Sequence, residues 1–136
     1  MNSIKAFFRS RAVSFRNAFS GCAYVLKTQK NAWIHSCATI TVIVVGLWLK
    51  ITPIEWGLIA LAVGFVWTAE FFNTAMEVLV NLASPQYHPL AKLSKDISAA
   101  AVLVAAATSV IIGFFVLGFP LWAKVQAIYE QAINIP

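Results

Sequence analysis

Ile97 to Ala123 is a run of twenty-seven residues without a charged side chain. As a helix rising about 1.5 Å per residue, it exceeds the ~30 Å hydrocarbon core of a bilayer. A soluble helical bundle cannot be built around such a segment. Its first half is rich in Ser and Ala, which lets helices approach closely. Two further segments share its character. Trp33 to Leu49 is apolar for seventeen residues apart from His35 and a few hydroxyls, with Trp33 and Trp48 at its ends, where aromatic belts form. Trp56 to Ala69 is uncharged for fourteen residues. Thr52 and Glu55 ahead of it have capping-box spacing, and Pro53 suits the first helical position. Only 11% of the chain is charged, against roughly a quarter in soluble domains.

The fold expected is an all-α membrane protein formed by one domain over residues 1–136. A surface helix is expected over about 2–22, and membrane helices over about 33–49, 53–80 and 96–119. In the first, Ile4, Phe7, Phe8, Phe15, Phe19 and Cys22 share one helical face, with Lys5, Arg9, Arg16 and Asn17 mostly on the other. That pattern suits an anionic bilayer surface. No separate apolar core with a cleavage site appears among those residues, so no cleavable signal is expected. Lys27 to Asn31 reads as a polar turn, Asn81 to Pro89 as a loop, and Pro120 as the end of the last helix. Cys22 and Cys37 have no metal-type spacing and read as small buried apolar residues without a disulfide.

The basic residues are asymmetric. Lys5, Arg9, Arg11, Arg16, Lys27, Lys30, Lys92 and Lys95 fall on one side of the spans, Lys50 and Lys124 on the other. The positive-inside rule then places the amino terminus and the His88 loop in the cytoplasm and the carboxyl terminus outside. The net charge of +5 is read as topology, not as a nucleic-acid site.

Glu70-Phe-Phe-Asn-Thr-Ala-Met-Glu77 carries the chemistry. Positions i, i+3 and i+7 share a helical face, so Glu70, Asn73 and Glu77 form one polar stripe near the cytoplasmic interface. Ionisable groups in a membrane helix are costly and face a partner or a wet cavity. Gln86, Tyr87, His88, Lys92, Lys95 and Asp96 gather at the same end. Carboxylates suit Mg²⁺, a lysine can neutralise a phosphate, and a second carboxylate can accept a hydroxyl proton. There is no GxxxxGK[ST] loop and no kinase-type glycine loop. The competing structural reading is that Glu70 and Glu77 pair with lysines to fix helix packing. His35, near a helix start, reads as a hydrogen-bonded structural residue.

The pair of segments Glu70–Glu77 and Tyr87-His-Pro-Leu-Ala-Lys-Leu-Ser-Lys-Asp96, followed by an Ala-Ala-Ala-Val-Leu run, resembles the signature of the prokaryotic diacylglycerol kinase and undecaprenol kinase family. The similarity covers about Phe15 to Ile112. It implies a homotrimeric helical bundle in the bacterial inner membrane, with active sites between protomers at the cytoplasmic face. It implies phosphorylation of a lipid hydroxyl by ATP with Mg²⁺, the acceptor being diacylglycerol or undecaprenol. Carried over by position, Glu70 resembles the catalytic base and a substrate contact, and Glu77 a metal ligand that also meets nucleotide. Gln86, Tyr87, His88, Lys95 and Asp96 resemble nucleotide contacts. Trp48 and Asn73 match positions at the lipid site. Gln29 stands where many members have a metal-ligating glutamate, and Asn81 where an aspartate is usual. Ser10 and Asn17 replace an arginine and a tyrosine. The Asn31-Ala-Trp-Ile-His35 segment is closer to the undecaprenol kinase branch. A non-catalytic scaffold or channel subunit on the same architecture is the alternative.

Overall fold

The computed structural model describes residues 2–133. They form four helices: α1 (Asn2–Thr28), α2 (Lys30–Leu49), α3 (Pro53–Ala83) and α4 (Pro89–Ile133). Three of them, α2, α3 and α4, are long and apolar enough to cross a membrane. They run alternately up and down, so that the α1–α2 elbow and the α3–α4 loop lie at one end and the α2–α3 turn at the other.

Large apolar side chains are exposed along every helix, Phe72, Leu103 and Phe114 among them. Lipid tails are as apolar as leucine, so helix association there depends on close packing and interhelical hydrogen bonds. The buried residues agree with this. Ala32, Ala62 and Ala105 are buried because a methyl group lets two backbones approach. Serine hydroxyls tie α4 to α3. Ser98 Oγ donates to Asn73 Oδ1 at 2.7 Å, and Ser109 Oγ to the Ala62 carbonyl at 2.9 Å. The same eleven-residue step is taken in opposite directions on the two helices. Eleven residues make about three turns, so the serines share one face and fix an antiparallel register.

The α2–α3 turn is built by local chemistry. Lys50 takes the left-handed conformation at φ 55°, and its N–H bonds back to Gly46 and Leu47 carbonyls. Thr52 and Glu55 then form the expected capping box, with Glu55 Oε2 accepting from the Thr52 N–H at 2.6 Å. Pro53 opens α3. Beneath this turn Ile51, Ile59 and Val116 form a small core, packed by Trp56. Gly46 allows it: a Cβ there would meet the Trp56 ring at 2.9 Å.

Three expectations need correction. The break between α1 and α2 is not a five-residue turn but Gln29 alone, at φ −101° and ψ 119°; helical hydrogen bonding carries α1 to Thr28. Pro120 does not end α4, which continues to Ile133. The proline leaves the Val116 carbonyl without its helical donor, yet good helix formers follow it, and neighbouring backbone bonds persist. Cys22 and Cys37 are free thiols and are exposed on the protomer, not buried; in a protein facing lipid, a small apolar residue has no need of a protein core.

Gly46 yields a prediction with an unusual sign. Gly→Ala inside a helix ordinarily stabilises by up to about 1 kcal/mol. Gly46→Ala should instead lower the melting temperature in detergent, because overpacking costs about 1–3 kcal/mol. Gly21, where an added Cβ meets nothing within 4 Å, is the control: Gly21→Ala should leave stability unchanged or raise it. Thermal melts of the two variants check this.

Candidate active site

The polar stripe of α3 faces inward. Glu70 is 0% exposed, and Asn73 and Thr74 are also buried. One turn further, Glu77 is half-buried. The helix places all of them, because Glu70, Asn73, Thr74 and Glu77 fall at i, i+3, i+4 and i+7. The Thr74 hydroxyl donates to the Glu70 backbone carbonyl at 2.9 Å, which keeps it off the carboxylate.

Glu77 anchors a chain of hydrogen bonds. Gln29 Nε2 donates to Oε2 at 3.1 Å and Asn73 Nδ2 to Oε1 at 3.3 Å. Asn73 accepts in turn from Ser98. Gln29, Glu77, Asn73 and Ser98 thus link the α1–α2 elbow through α3 to α4. Gln29 occupies the N-cap position of α2 but makes no side-chain cap. Its amide is spent on Glu77.

Glu70 has no such support. Neither carboxylate oxygen has a hydrogen-bond partner among the described residues. The group nearest in charge is His35 on α2, whose Nε2 lies 3.7 Å from Oε2 and is itself buried and unpartnered. The reading that Glu70 and Glu77 pair with lysines finds no support among the described residues, where Lys92 faces Asp96 and the side chain beside the Glu70 carboxylate is His35.

An apolar cleft of about 400 Å³ runs between α2, α3 and α4. His35, Thr39 and Val66 line it towards the Glu70 end, and Ile59 and Leu117 towards the α2–α3 turn. A second, polar hollow of about 290 Å³ lies under the α3–α4 loop. Gln86, Tyr87, His88 and Lys95 all line it, together with Asn81 and Lys92. Lys95 Nζ donates to Asn81 Oδ1 at 2.6 Å. His88 has a structural duty as well: its Nδ1 accepts from the Leu90 N–H at 3.2 Å and caps α4. Nε2 is therefore the ring nitrogen left for another partner.

Glu77 and Asp96 do not line this hollow. Asp96 faces Lys92 at 3.6 Å, an exposed i,i+4 pair of the kind worth little energy. Trp48 is the outlier. It lies at the far end of α2 with Lys124 over its ring, 6.0 Å from the ring centre. Gln29 is nineteen residues before it, about 28 Å along a helix axis, so Trp48 is not brought to the Glu70–Glu77 group. Sequence reasoning passed over Ser98 and read His35 as merely structural. Both stand against the acidic stripe.

Among the described residues no three His, Cys, Asp or Glu side chains gather as a metal cage. Mg²⁺ needs none: it usually takes one or two carboxylates and fills its shell with water and phosphate oxygens. The donor chemistry fits that mode. Each Glu77 oxygen accepts one amide and keeps lone pairs free, and the Gln29 amide also carries an oxygen.

Comparisons with known proteins identify the family of the chain. The family model for prokaryotic diacylglycerol kinase matches residues 16–117, from α1 to past the middle of α4. The chain is 36% identical to an undecaprenol kinase of Bacillus subtilis over 115 residues, covering 85% of this chain and 90% of that protein. It is 42% identical over 110 residues to a diacylglycerol kinase of Synechocystis sp., covering 80% of this chain and 63% of that longer protein. A diacylglycerol kinase of Escherichia coli K12 is 28% identical over 109 residues. With three helices long and apolar enough to cross a membrane and a family match that spans most of its length, the chain is a membrane protein of the prokaryotic diacylglycerol kinase family.

Proposed function

We propose that this chain is an ATP-dependent lipid kinase of the bacterial plasma membrane. It phosphorylates the hydroxyl of diacylglycerol or undecaprenol at the cytoplasmic face. The observation that carries the reading is Glu70: a fully buried carboxylate with both oxygens unpartnered among the described residues, on the same face as a hydrogen-bonded Glu77. A buried charge without a donor is expensive and is kept for a task. The printed names of the relatives, kinases of diacylglycerol and of undecaprenol, support the class of acceptor without choosing between them.

In this mechanism the membrane delivers the acceptor laterally, and the lipid hydroxyl meets Glu70 at the polar end of the bundle. Glu70 accepts the hydroxyl proton as the oxygen attacks the γ-phosphorus, the bond from that phosphorus to the β,γ-bridging oxygen breaks, and ADP leaves. Glu77, with the Gln29 amide oxygen, would hold Mg²⁺. When bound, that ion neutralises charge on the phosphate oxygens. Lys95 supplies a compact ammonium for the phosphates, and Asn81 orients it while the nucleotide is absent. Gln86, Tyr87 and the free Nε2 of His88 contact the nucleotide in the hollow below the loop, with Asp96 at its margin. Little covalent work falls to the protein, because phosphoryl transfer is chiefly positioning and charge stabilisation. Three membrane helices per chain enclose such a site poorly. A homotrimer with sites between protomers, amino termini inside and carboxyl termini outside, completes it.

Three variants test the assignments. Glu70→Gln keeps the shape and removes the base; kcat should fall by about 10²-fold or more while the KM for ATP stays near wild type. Gln29→Glu sets a second carboxylate against Glu77. The half-saturating Mg²⁺ concentration should then fall and Mg²⁺ should stabilise this variant more than wild type in thermal melts, whereas Glu77→Ala should lose activity at any Mg²⁺ concentration. Lys95→Met should nearly abolish turnover and Lys95→Arg should raise the KM for ATP, because a planar fork does not replace a compact ammonium. A Lys95→Met protein with wild-type ATP kinetics would move the nucleotide site elsewhere.

A further inference from the structure

The proton acceptor needs a fixed direction, and nothing on its own helix supplies one. Asn73 is engaged by Ser98 and Glu77, and Thr74 by the Glu70 backbone. From α2, His35 is the one polar side chain that reaches the carboxylate, with Nε2 3.7 Å from Oε2. Both atoms are buried and neither has another partner among the described residues.

The imidazole is held from two helices. Its ring packs edge-on against Trp67 of α3, with centres 6.2 Å apart and planes 70° apart. Trp67 Nε1 donates to Thr39 Oγ1 on α2 at 3.3 Å, one turn beyond His35. Trp67 also packs on Phe71, with ring centres 5.9 Å apart. These contacts set one side of the ring against α3, with Nε2 toward Glu70. An N–H···O bond is about 2.7–3.2 Å long, so a shift of about 0.5–1 Å closes the contact.

We propose that His35 is the positioning residue of Glu70: its Nε2–H donates to Oε2 and leaves Oε1 directed at the acceptor hydroxyl. The proposal rests on the reading of Glu70 as the proton acceptor. It parallels other sites in which a second side chain fixes a reacting group through one hydrogen bond and does no chemistry itself. His35 also lines the apolar cleft. The group that orients the base therefore also borders an apolar space.

Two substitutions separate hydrogen bonding from packing. His35→Gln keeps an N–H donor and gives up the ring. His35→Phe keeps the ring against Trp67 and gives up the donor. Each is purified in detergent, checked for oligomeric state by size exclusion, and assayed with diacylglycerol and undecaprenol under saturating MgATP. The expected ranking in kcat is wild type, then His35→Gln, then His35→Phe, with the last down about 10- to 100-fold and the KM for ATP unchanged in both. His35→Phe turning over as fast as His35→Gln, or faster, overturns the proposal and leaves His35 a packing residue. Glu70→Gln is measured alongside. If it is inactive while the His35 ranking fails, only the positioning role falls; if it is active, the proton-acceptor reading falls and the role of His35 with it.

Discussion

The structure turns on the burial of one carboxylate. Glu70 is shut off from water and has gained no hydrogen bond among the described residues. Such a group costs several kcal/mol when charged, and the bilayer offers no compensation. Everything around it is arranged to keep it there. Seven residues on, Glu77 takes the two amides that Glu70 lacks. The contrast between two acids on one helical face, one hydrogen-bonded and one bare among the described residues, is the basis on which we propose distinct tasks for the pair. A satisfied carboxylate stays where it is and keeps lone pairs for a cation; a bare one seeks a proton or a donor.

Holding that contrast requires register. Ser98 and Ser109 lock α4 to α3 at two points three turns apart. Membrane hydrogen bonds of this kind average only about 0.6 kcal/mol, so the locking is specific more than strong. The capping box and the Gly46–Trp56 contact close the opposite end. With both ends fixed, α2 is placed so that Gln29 meets Glu77 and His35 approaches Glu70. Aligning the two acids with Gln29 and His35 therefore depends on packing at the far end of the bundle as well as on the Ser98–Asn73 bond within the site.

Much of this was legible. The stripe Glu70–Asn73–Glu77 follows from helical periodicity alone, and its burial was expected because a charge in lipid must face inward. The capping box at Thr52 and the three apolar spans were equally plain, since each depends on residues close in sequence. What was missed depends on antiparallel pairing. Gln29 and His35 are six residues apart, Glu77 and Glu70 seven, running the opposite way. Laid side by side, the two intervals match to within one residue rise, and that match was the available sign that His35 belongs with the acids. Ser98 needed the α3–α4 register, which no local pattern contains. Pro120 misled because a proline removes one helical hydrogen bond, and a membrane helix can continue past it when its neighbouring backbone groups stay paired. The cysteines misled because a small apolar side chain on a membrane protein can face lipid as readily as protein.

The central claim is that this polar end of a membrane bundle transfers phosphate from ATP to a lipid hydroxyl. The most direct measurement supplies purified wild-type protein with γ-phosphate-labelled ATP, Mg²⁺ and mixed micelles containing diacylglycerol, undecaprenol or ceramide, and follows label into the organic phase. The account predicts metal-dependent labelling of diacylglycerol or undecaprenol, well above that of ceramide. A folded, detergent-stable protein that leaves all three lipids unlabelled while ATP remains unspent would contradict it.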